Sequence, residues 1–323
     1  MKENNKKYSY FDLHCDTLTK LIEKKELLRS NKTAQVSLDK ASEYLRYSQV
    51  FAVFCPPGMD SSESWKLLTA ILKEYSAELV SDEHFSAYLS VENALMLDGD
   101  LAKIYKLAEL GVRFITPVWK GINSLGGAHD TKEGLSSLGA EAISVMLDAG
   151  IIPDVSHASE QTFEMIARIC EERGKAFVAT HSDSKTICGH SRNLSDSQFR
   201  RISECGGLVG ISLYPDHLSV NGRCSIDMVV DHIGHYLSIG GEDTVCFGCD
   251  FDGIDKTPDE ICDCADVVRI AGVMKNRGYS DKTVRKVFYE NAEAFFDRNG
   301  VKPITSPVNS VNNIYSKNKD NKY

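Results

Sequence analysis

Two residues that commonly bind metal ions, His14 and Asp16, stand two positions apart where an apolar segment of the chain ends. Successive side chains of a β-strand point to opposite faces, so His14 and Asp16 would project together and Cys15 would point away. For an isolated His-x-Asp, a hydrogen bond that holds a loop is the simpler interpretation. Similar residues at the ends of other strands would favour a metal site.

Three further predicted strands also end in metal-binding residue types. They are Glu92 after segment 85–91, His157 after segment 151–156 and His181 after segment 176–180. The four strand ends together supply three histidines, one aspartate and one glutamate. This set suits two Zn²⁺ or other divalent ions, with Glu92 available to bridge them and coordination positions left for water.

Eight β-rich segments alternate along the chain with longer segments of helical periodicity. The predicted strands are 8–14, 49–54, 85–91, 112–118, 150–155, 176–180, 206–212 and 244–248. This alternation favours parallel pairing through right-handed crossovers, and eight units predict an α/β fold closed as a (β/α)8 barrel of the TIM type. Active sites of such barrels form at the carboxyl ends of the strands, where the candidate ligands fall. An open doubly wound sheet is the alternative, although no glycine-rich nucleotide loop follows the first strand.

Length and composition are compatible with one large domain. We predict a single barrel over residues 1–300, because the chain has 323 residues of which 42% are hydrophobic. Residues 301–323 are polar and rich in Asn, Ser and Lys, which predicts a flexible tail.

Charge and hydropathy exclude several classes of partner. The net charge is −9 and no basic cluster is present, so nucleic acid is not expected to bind. No apolar run approaches the roughly 20 residues that span a bilayer, and no apolar segment follows the basic amino end. We therefore expect neither a membrane anchor nor a signal peptide, and a cytoplasmic location. The 10 cysteines are scattered and are expected to be mostly reduced thiols.

The ligand candidates and their surroundings resemble the membrane (renal) dipeptidase family of zinc peptidases, including its bacterial soluble members. The resemblance spans about residues 11–296. It is carried by six ordered motifs, namely DLHCDT at 12–17, SVENA at 90–94, DVSHAS at 154–159, THS at 180–182, SRN at 191–193 and GCDFDG at 248–253.

The resemblance implies a metallo-dependent hydrolase barrel that holds two Zn²⁺ and cleaves dipeptides through a metal-bridging hydroxide. The implied ligands are His14 and Asp16 for one ion, His157 and His181 for the other, and Glu92 for both. The resemblance further implies that Arg192 binds the terminal carboxylate of the substrate and that Asp250 exchanges a proton with the scissile amide. Arginine is a two-pronged carboxylate donor, and an aspartate can take and return a proton.

Trp119 departs from the family pattern, because many members carry a histidine there that contacts the substrate carbonyl. The following Asn123 matches the pattern. The family also places substrate contacts after the seventh strand, where this chain has Tyr214 and His217. An indole offers one donor and a broad apolar face, so we expect Trp119 to change side-chain preference and to leave the reaction unchanged.

Two other functions remain compatible with the sequence. The first is another barrel metallohydrolase, such as a deaminase, lactonase or phosphoesterase. Many amidohydrolases open with His-x-His and use a bridging lysine, whereas this chain has His-x-Asp and Glu92. The second is a catalytically silent binding protein, which the intact set of five ligands disfavours. The family resemblance is also compatible with a homodimer.

Overall fold

The computed structural model describes residues 8–221 and 224–308, and within these ranges seven strands form one parallel sheet. The strands are β1 Tyr10–Cys15, β2 Tyr47–Phe54, β3 Phe85–Glu92, β4 Val112–Thr116, β5 Ile152–Pro153, β6 Val209–Ile211 and β7 Val245–Phe247. Their order in the sheet is β5-β4-β3-β2-β1-β7-β6. The first of the described strands therefore pairs with the last.

Segment 176–180 joins the two outer strands of this sheet. Val178 forms a parallel bridge with Asp154, directly after β5, and Ala179 forms one with Val209 of β6. Because β5 and β6 are the two ends of the strand order, these bridges close the sheet into a ring. The predicted α/β barrel is confirmed, and its sixth predicted strand, 176–180, is reduced to two isolated bridges.

Helices follow the strands and cover the outside of the barrel. The α-helices are α1 Thr17–Lys24, α2 Leu38–Ala41, α3 Ser61–Tyr75, α4 Lys103–Glu109, α5 Ser137–Asp148, α6 Glu160–Glu172, α7 Asp196–Glu204, α8 Pro215–Leu218, α9 Ile226–Ser238, α10 Val268–Asn276, α11 Asp281–Arg285 and α12 Asn291–Arg298. Helix α6 shows the common design, since Ser159 caps its first turn and Phe163, Ile166 and Cys170 form its buried stripe.

Aromatic side chains fill the barrel below the carboxyl ends of its strands. Phe296 of α12 lies with its ring centroid 4.6 Å from Phe11, 4.5 Å from Tyr88 and 5.3 Å from Phe114. All four side chains are buried in one apolar cluster. The barrel interior is thus a packed core, and the space for a ligand lies above it.

The chain after α12 continues against the barrel. Val301 and Ile304 are buried, and the backbone N–H of Ile304 donates to the Ala87 carbonyl over 2.9 Å. Residues 309–323 lie outside the described residues, so the predicted division at residue 300 stays a prediction. None of the helices in the described ranges has the length and apolar character that crossing a bilayer requires.

Candidate metal centre

The five predicted ligands converge at the carboxyl ends of the strands, with Glu92 in the middle. Glu92 Oε1 lies 2.9 Å from His157 Nε2 and 3.5 Å from His181 Nε2. Glu92 Oε2 lies 3.4 Å from His14 Nε2, which in turn is 3.8 Å from Asp16 Oδ2. One glutamate thus reaches a pair of histidines on one side and a His–Asp pair on the other.

The donor atoms form groups compact enough to hold metal ions. One group is Glu92, His157 and His181, and another is His14, Asp16 and Glu92, with the atoms of each group within 4.8 Å of one another. Among the described residues, His14 Nε2 and Asp16 Oδ1 are buried without a hydrogen-bond partner. Because unpaired buried polar atoms are costly, and imidazole and carboxylate are preferred zinc ligands, these residues fit the predicted ions.

Hydrogen bonds behind the ligands fix the orientation of the two paired imidazoles. His157 Nδ1 lies 3.1 Å from the Trp119 carbonyl oxygen, and His181 Nδ1 lies 2.9 Å from Thr180 Oγ1. The Thr180 hydroxyl in turn donates to Asp154 Oδ2 over 2.5 Å. These contacts turn both Nε2 atoms towards Glu92, as supporting hydrogen bonds commonly do for metal-binding histidines. Asp154 is buried, and its supporting role was not predicted from the sequence.

Four residues of the site adopt left-handed backbone conformations. They have φ of 60° at Asn93, 67° at His157, 64° at Asp250 and 69° at Asp252. The left-handed region costs a residue with a side chain roughly 1–2 kcal/mol, so the surrounding contacts must hold these turns. Strain concentrated where strands give way to ligand-bearing loops is typical of functional sites.

The loop after β7 is held against the end of β1. The Asp250 N–H donates to the His14 carbonyl over 3.1 Å, and Asp250 Oδ1 lies 3.8 Å from His14 Nε2. Asp252 accepts from the Thr17 hydroxyl at 2.5 Å and from Lys20 Nζ at 2.9 Å. These bonds to α1 place the Asp250 carboxylate beside the ligands.

Burial and neighbouring charges shift the pKa values of the proposed ligands. Burial and the charge of Arg192 lower the pKa of His157 to about 4, and burial followed by the charge of His14 lowers that of His181 well below its usual value. Burial alone would raise the pKa of Glu92, but His14 holds it well below its usual range. The paired histidines are therefore uncharged near neutral pH, which is the form that binds metal.

The pKa of Asp250 is raised, whereas that of Glu92 is lowered. Burial raises the pKa of Asp250 well above the usual value; the charge of His14 opposes this rise, whereas the carboxylate of Asp16 adds to it. A carboxyl group of raised pKa close to a metal centre is suited to accept a proton and to return it.

A cleft of two lobes opens beside the ligands. One lobe of about 230 Å³ is lined by Lys20 and Phe54, and the other of about 490 Å³ by Arg192. Both lobes share the lining residues Trp119, His157, Asp250 and Gly253. Arg192 is only 4% exposed and donates to Ser182 Oγ and to the His181 carbonyl at 3.3 and 3.1 Å.

Besides Arg192, three more of the predicted substrate contacts line this cleft. The Trp119 ring lies between the lobes, with its centroid 5.0 Å from that of Phe54 and 5.9 Å from that of His157. Tyr214 and His217 line the larger lobe, where their rings meet edge to face at 4.8 Å.

Asn123 is not among the residues that line the cleft. Its Nδ2 donates to the Pro117 carbonyl over 2.8 Å and to Asn93 Oδ1 over 3.2 Å. Its Oδ1 accepts from the N–H groups of Leu125 and Gly126. A contact of Asn123 with substrate stays a prediction.

The cleft also contains His129, which was not among the predicted site residues. The His129 N–H donates to the His157 carbonyl over 2.8 Å, next to an antiparallel bridge between Ala128 and Ala158. This pairing joins two loops, and no periodic pattern in the sequence indicates it.

Comparisons with known proteins identify the family of the chain. A family model for membrane dipeptidase (peptidase family M19) matches residues 76–296, well over half of the chain. A Klebsiella pneumoniae protein described as an uncharacterized protein in the pqqA 5′ region is 32% identical over 222 residues, which cover 65% of this chain and 80% of that protein. Alignments with two longer curated relatives cover 42% and 53% of their lengths.

Solved structures share the fold over nearly the whole chain. A metallopeptidase from Rhodobacter sphaeroides, liganded with a phosphinate mimic of the dipeptide L-Ala-D-Ala, has a TM-score of 0.81 at 23% identity, covering 90% of this chain and 99% of its own. A metallopeptidase described as dipeptidase AC has a TM-score of 0.81 at 25% identity, with 90% and 98% covered. The chain belongs to the membrane dipeptidase family, peptidase family M19, and is a metallopeptidase of that family.

Proposed function

We propose that this protein is a binuclear zinc dipeptidase that hydrolyses the peptide bond of dipeptides. The observation that carries the proposal is the position of Glu92 between two compact donor groups, His157 with His181 and His14 with Asp16. Family membership and a cleft that ends at a buried arginine support the same function.

The proposed ligands divide between two ions. His157 and His181 would hold one, His14 and Asp16 the other, and Glu92 would contribute to both. Divalent ions at these positions supply Lewis-acid polarisation of the scissile carbonyl and lower the pKa of the water that serves as nucleophile.

Arg192 fixes the carboxyl end of the substrate in this proposal. Its guanidinium is buried at the wall of the larger lobe and presents a planar donor surface for a carboxylate. A terminal carboxylate bound there lies one residue beyond the scissile bond, so Arg192 allows a single residue on the carboxyl side, and the smaller lobe of about 230 Å³ would hold the single residue on the amino side. The dipeptide mimic bound to the Rhodobacter metallopeptidase, which has the same fold, supports this substrate class.

Asp250 handles the proton in this proposal. Asp250 lines both lobes of the cleft, its Oδ1 lies 3.8 Å from His14 Nε2, and burial raises its pKa. It can therefore accept a proton from the nucleophilic water and return it to the leaving amine.

A cytoplasmic location and a homodimeric state stay predictions.

The test combines metal analysis with a hydrolysis panel. We expect about two divalent ions per chain, hydrolysis of dipeptides but not of tripeptides, and loss of activity after chelation. Glu92→Gln should lower metal content while the barrel stays folded, and Glu83→Gln, at an exposed position before β3, is the matched control. Full activity in metal-free protein, or turnover of a lactone, phosphoester or aminopurine with none of a dipeptide, would reject the proposal.

A further inference from the structure

His129 is a cleft histidine that belongs to none of the metal-binding groups of the described residues. It lines the larger lobe together with Arg192. Its ring centroid is 6.1 Å from that of His157 on the metal side and 6.1 Å from that of His190, two residues before Arg192. His129 therefore lies between the candidate metal centre and the loop that carries the arginine.

Two hydrogen bonds hold His129 in place. Its backbone N–H donates to the His157 carbonyl over 2.8 Å, and its ring Nδ1 lies 2.8 Å from Oγ of Ser191, the neighbour of Arg192. With Nδ1 occupied by Ser191, Nε2 is the ring atom left to meet a ligand. A serine hydroxyl that donates to Nδ1 leaves the imidazole proton on Nε2.

A donor at this position suits the carboxyl end of a bound dipeptide. Arg192 already donates through one terminal nitrogen to Ser182 Oγ and through the other to the His181 carbonyl. A carboxylate has about four acceptor sites, so it has room for a second donor beside a guanidinium that is partly engaged. His129 is linked to Arg192 through Ser191 and lines the same lobe.

We propose that His129 is a substrate-binding residue that donates a hydrogen bond from Nε2 to the terminal carboxylate bound by Arg192. This inference rests on the proposed dipeptidase function, and it adds a residue that lies outside the six sequence motifs.

The test compares two amide replacements that differ in reach. His129→Asn keeps a polar group near Ser191 but has no atom at the position of Nε2, and His129→Gln places an N–H donor close to that position. We expect His129→Asn to raise KM for a dipeptide about ten- to hundredfold with kcat unchanged, because it removes one charge-assisted hydrogen bond made equally in the ground and transition states. His129→Gln should stay within about threefold of wild type. His84→Asn, at a side chain 71% exposed before β3, is the matched control.

A dipeptide amide distinguishes substrate contact from a structural effect. This substrate lacks the carboxylate charge, so the KM values of His129→Asn and wild type should differ by less than about threefold. An equal rise in KM for the acid and the amide, or an unchanged KM for the acid, would overturn the inference. Failure of the proposed function looks different, since wild type would then hydrolyse no dipeptide or would keep its activity after chelation.

Discussion

Gly253 provides the space in which the carboxylates of Asp16 and Asp250 lie side by side. A Cβ added at Gly253 would lie 2.2 Å from Asp16 Oδ2 and 2.5 Å from Asp250 Oδ1. Ordinary van der Waals contact begins at 3.4 Å, so a single methyl group would displace both carboxylates by about 1 Å.

We expect Gly253→Ala to lower kcat about a hundredfold, because a misplacement of about 1 Å near the reacting groups can cost that much. We also expect fewer bound ions per chain than in wild type, since Asp16 is a proposed ligand. Gly253 is not among the residues with positive φ, so the effect would come from the methyl group and not from backbone strain.

Gly272→Ala is the matched control for this experiment. Gly272 lies in α10, a Cβ there meets nothing within 4 Å, and alanine favours a helix. We expect wild-type kcat and metal content for this control. Steady-state kinetics on a dipeptide, elemental analysis and the thermal unfolding midpoint measure the three quantities. Wild-type kcat together with wild-type metal content in Gly253→Ala would refute the reasoning.

Three further predictions follow from the cleft and from one buried histidine. Arg192→Ala should chiefly raise KM and Asp250→Asn chiefly lower kcat with metal retained; wild-type kcat in Asp250→Asn would exclude it as the proton carrier. Trp119→His should change the order of kcat/KM among dipeptides with large and small side chains, because burial of a substrate side chain against the indole contributes about 25 cal/mol per Å². An unchanged order would show that Trp119 does not determine substrate specificity. Burial lowers the pKa of His232 to about 4, below the value of about 6.5 in the unfolded chain. Between these two pH values the unfolded chain binds a proton that the folded chain does not bind. The free energy of unfolding therefore falls as the pH falls through this window. Chemical denaturation of His232→Asn should show a weaker fall than wild type, and an identical pH dependence would contradict the argument.

The convergence of the proposed ligands could be predicted from the sequence, because each of them lies at or directly beyond the end of a predicted strand. Parallel strands of a barrel end at one rim, so Glu92, His157 and His181 had to meet once the barrel was inferred. The alternation of strands and helices was also sufficient to predict the fold class. The reduced sixth position was not predictable, since an apolar pattern reports burial and not the number of hydrogen bonds that a segment forms.

Residues that reach the site through pairing between loops could not be predicted from the ends of strands. His129 reaches the cleft because Ala128 pairs with Ala158, and Asn123 bonds to Asn93 because its loop folds back on itself. Neither contact has a periodic signature. The left-handed backbone conformation of Asp250 could not be predicted either. It is uncommon for an aspartate, and only the surrounding hydrogen bonds hold it.

The pairing of β1 with β7 makes one half of the site depend on both ends of the chain. Asp12 pairs with Phe247, and the Asp16 N–H donates to the Phe251 carbonyl over 2.9 Å. Glu92, His157 and His181 come from the middle of the sequence, but β3, which ends in Glu92, also contacts the carboxyl-terminal part of the chain. Phe296 packs 4.5 Å from Tyr88, and the Ile304 N–H donates to the Ala87 carbonyl over 2.9 Å. Both halves of the centre therefore lie on strands that the carboxyl-terminal part holds in place, so a nascent chain that lacks this part would not yet secure either half.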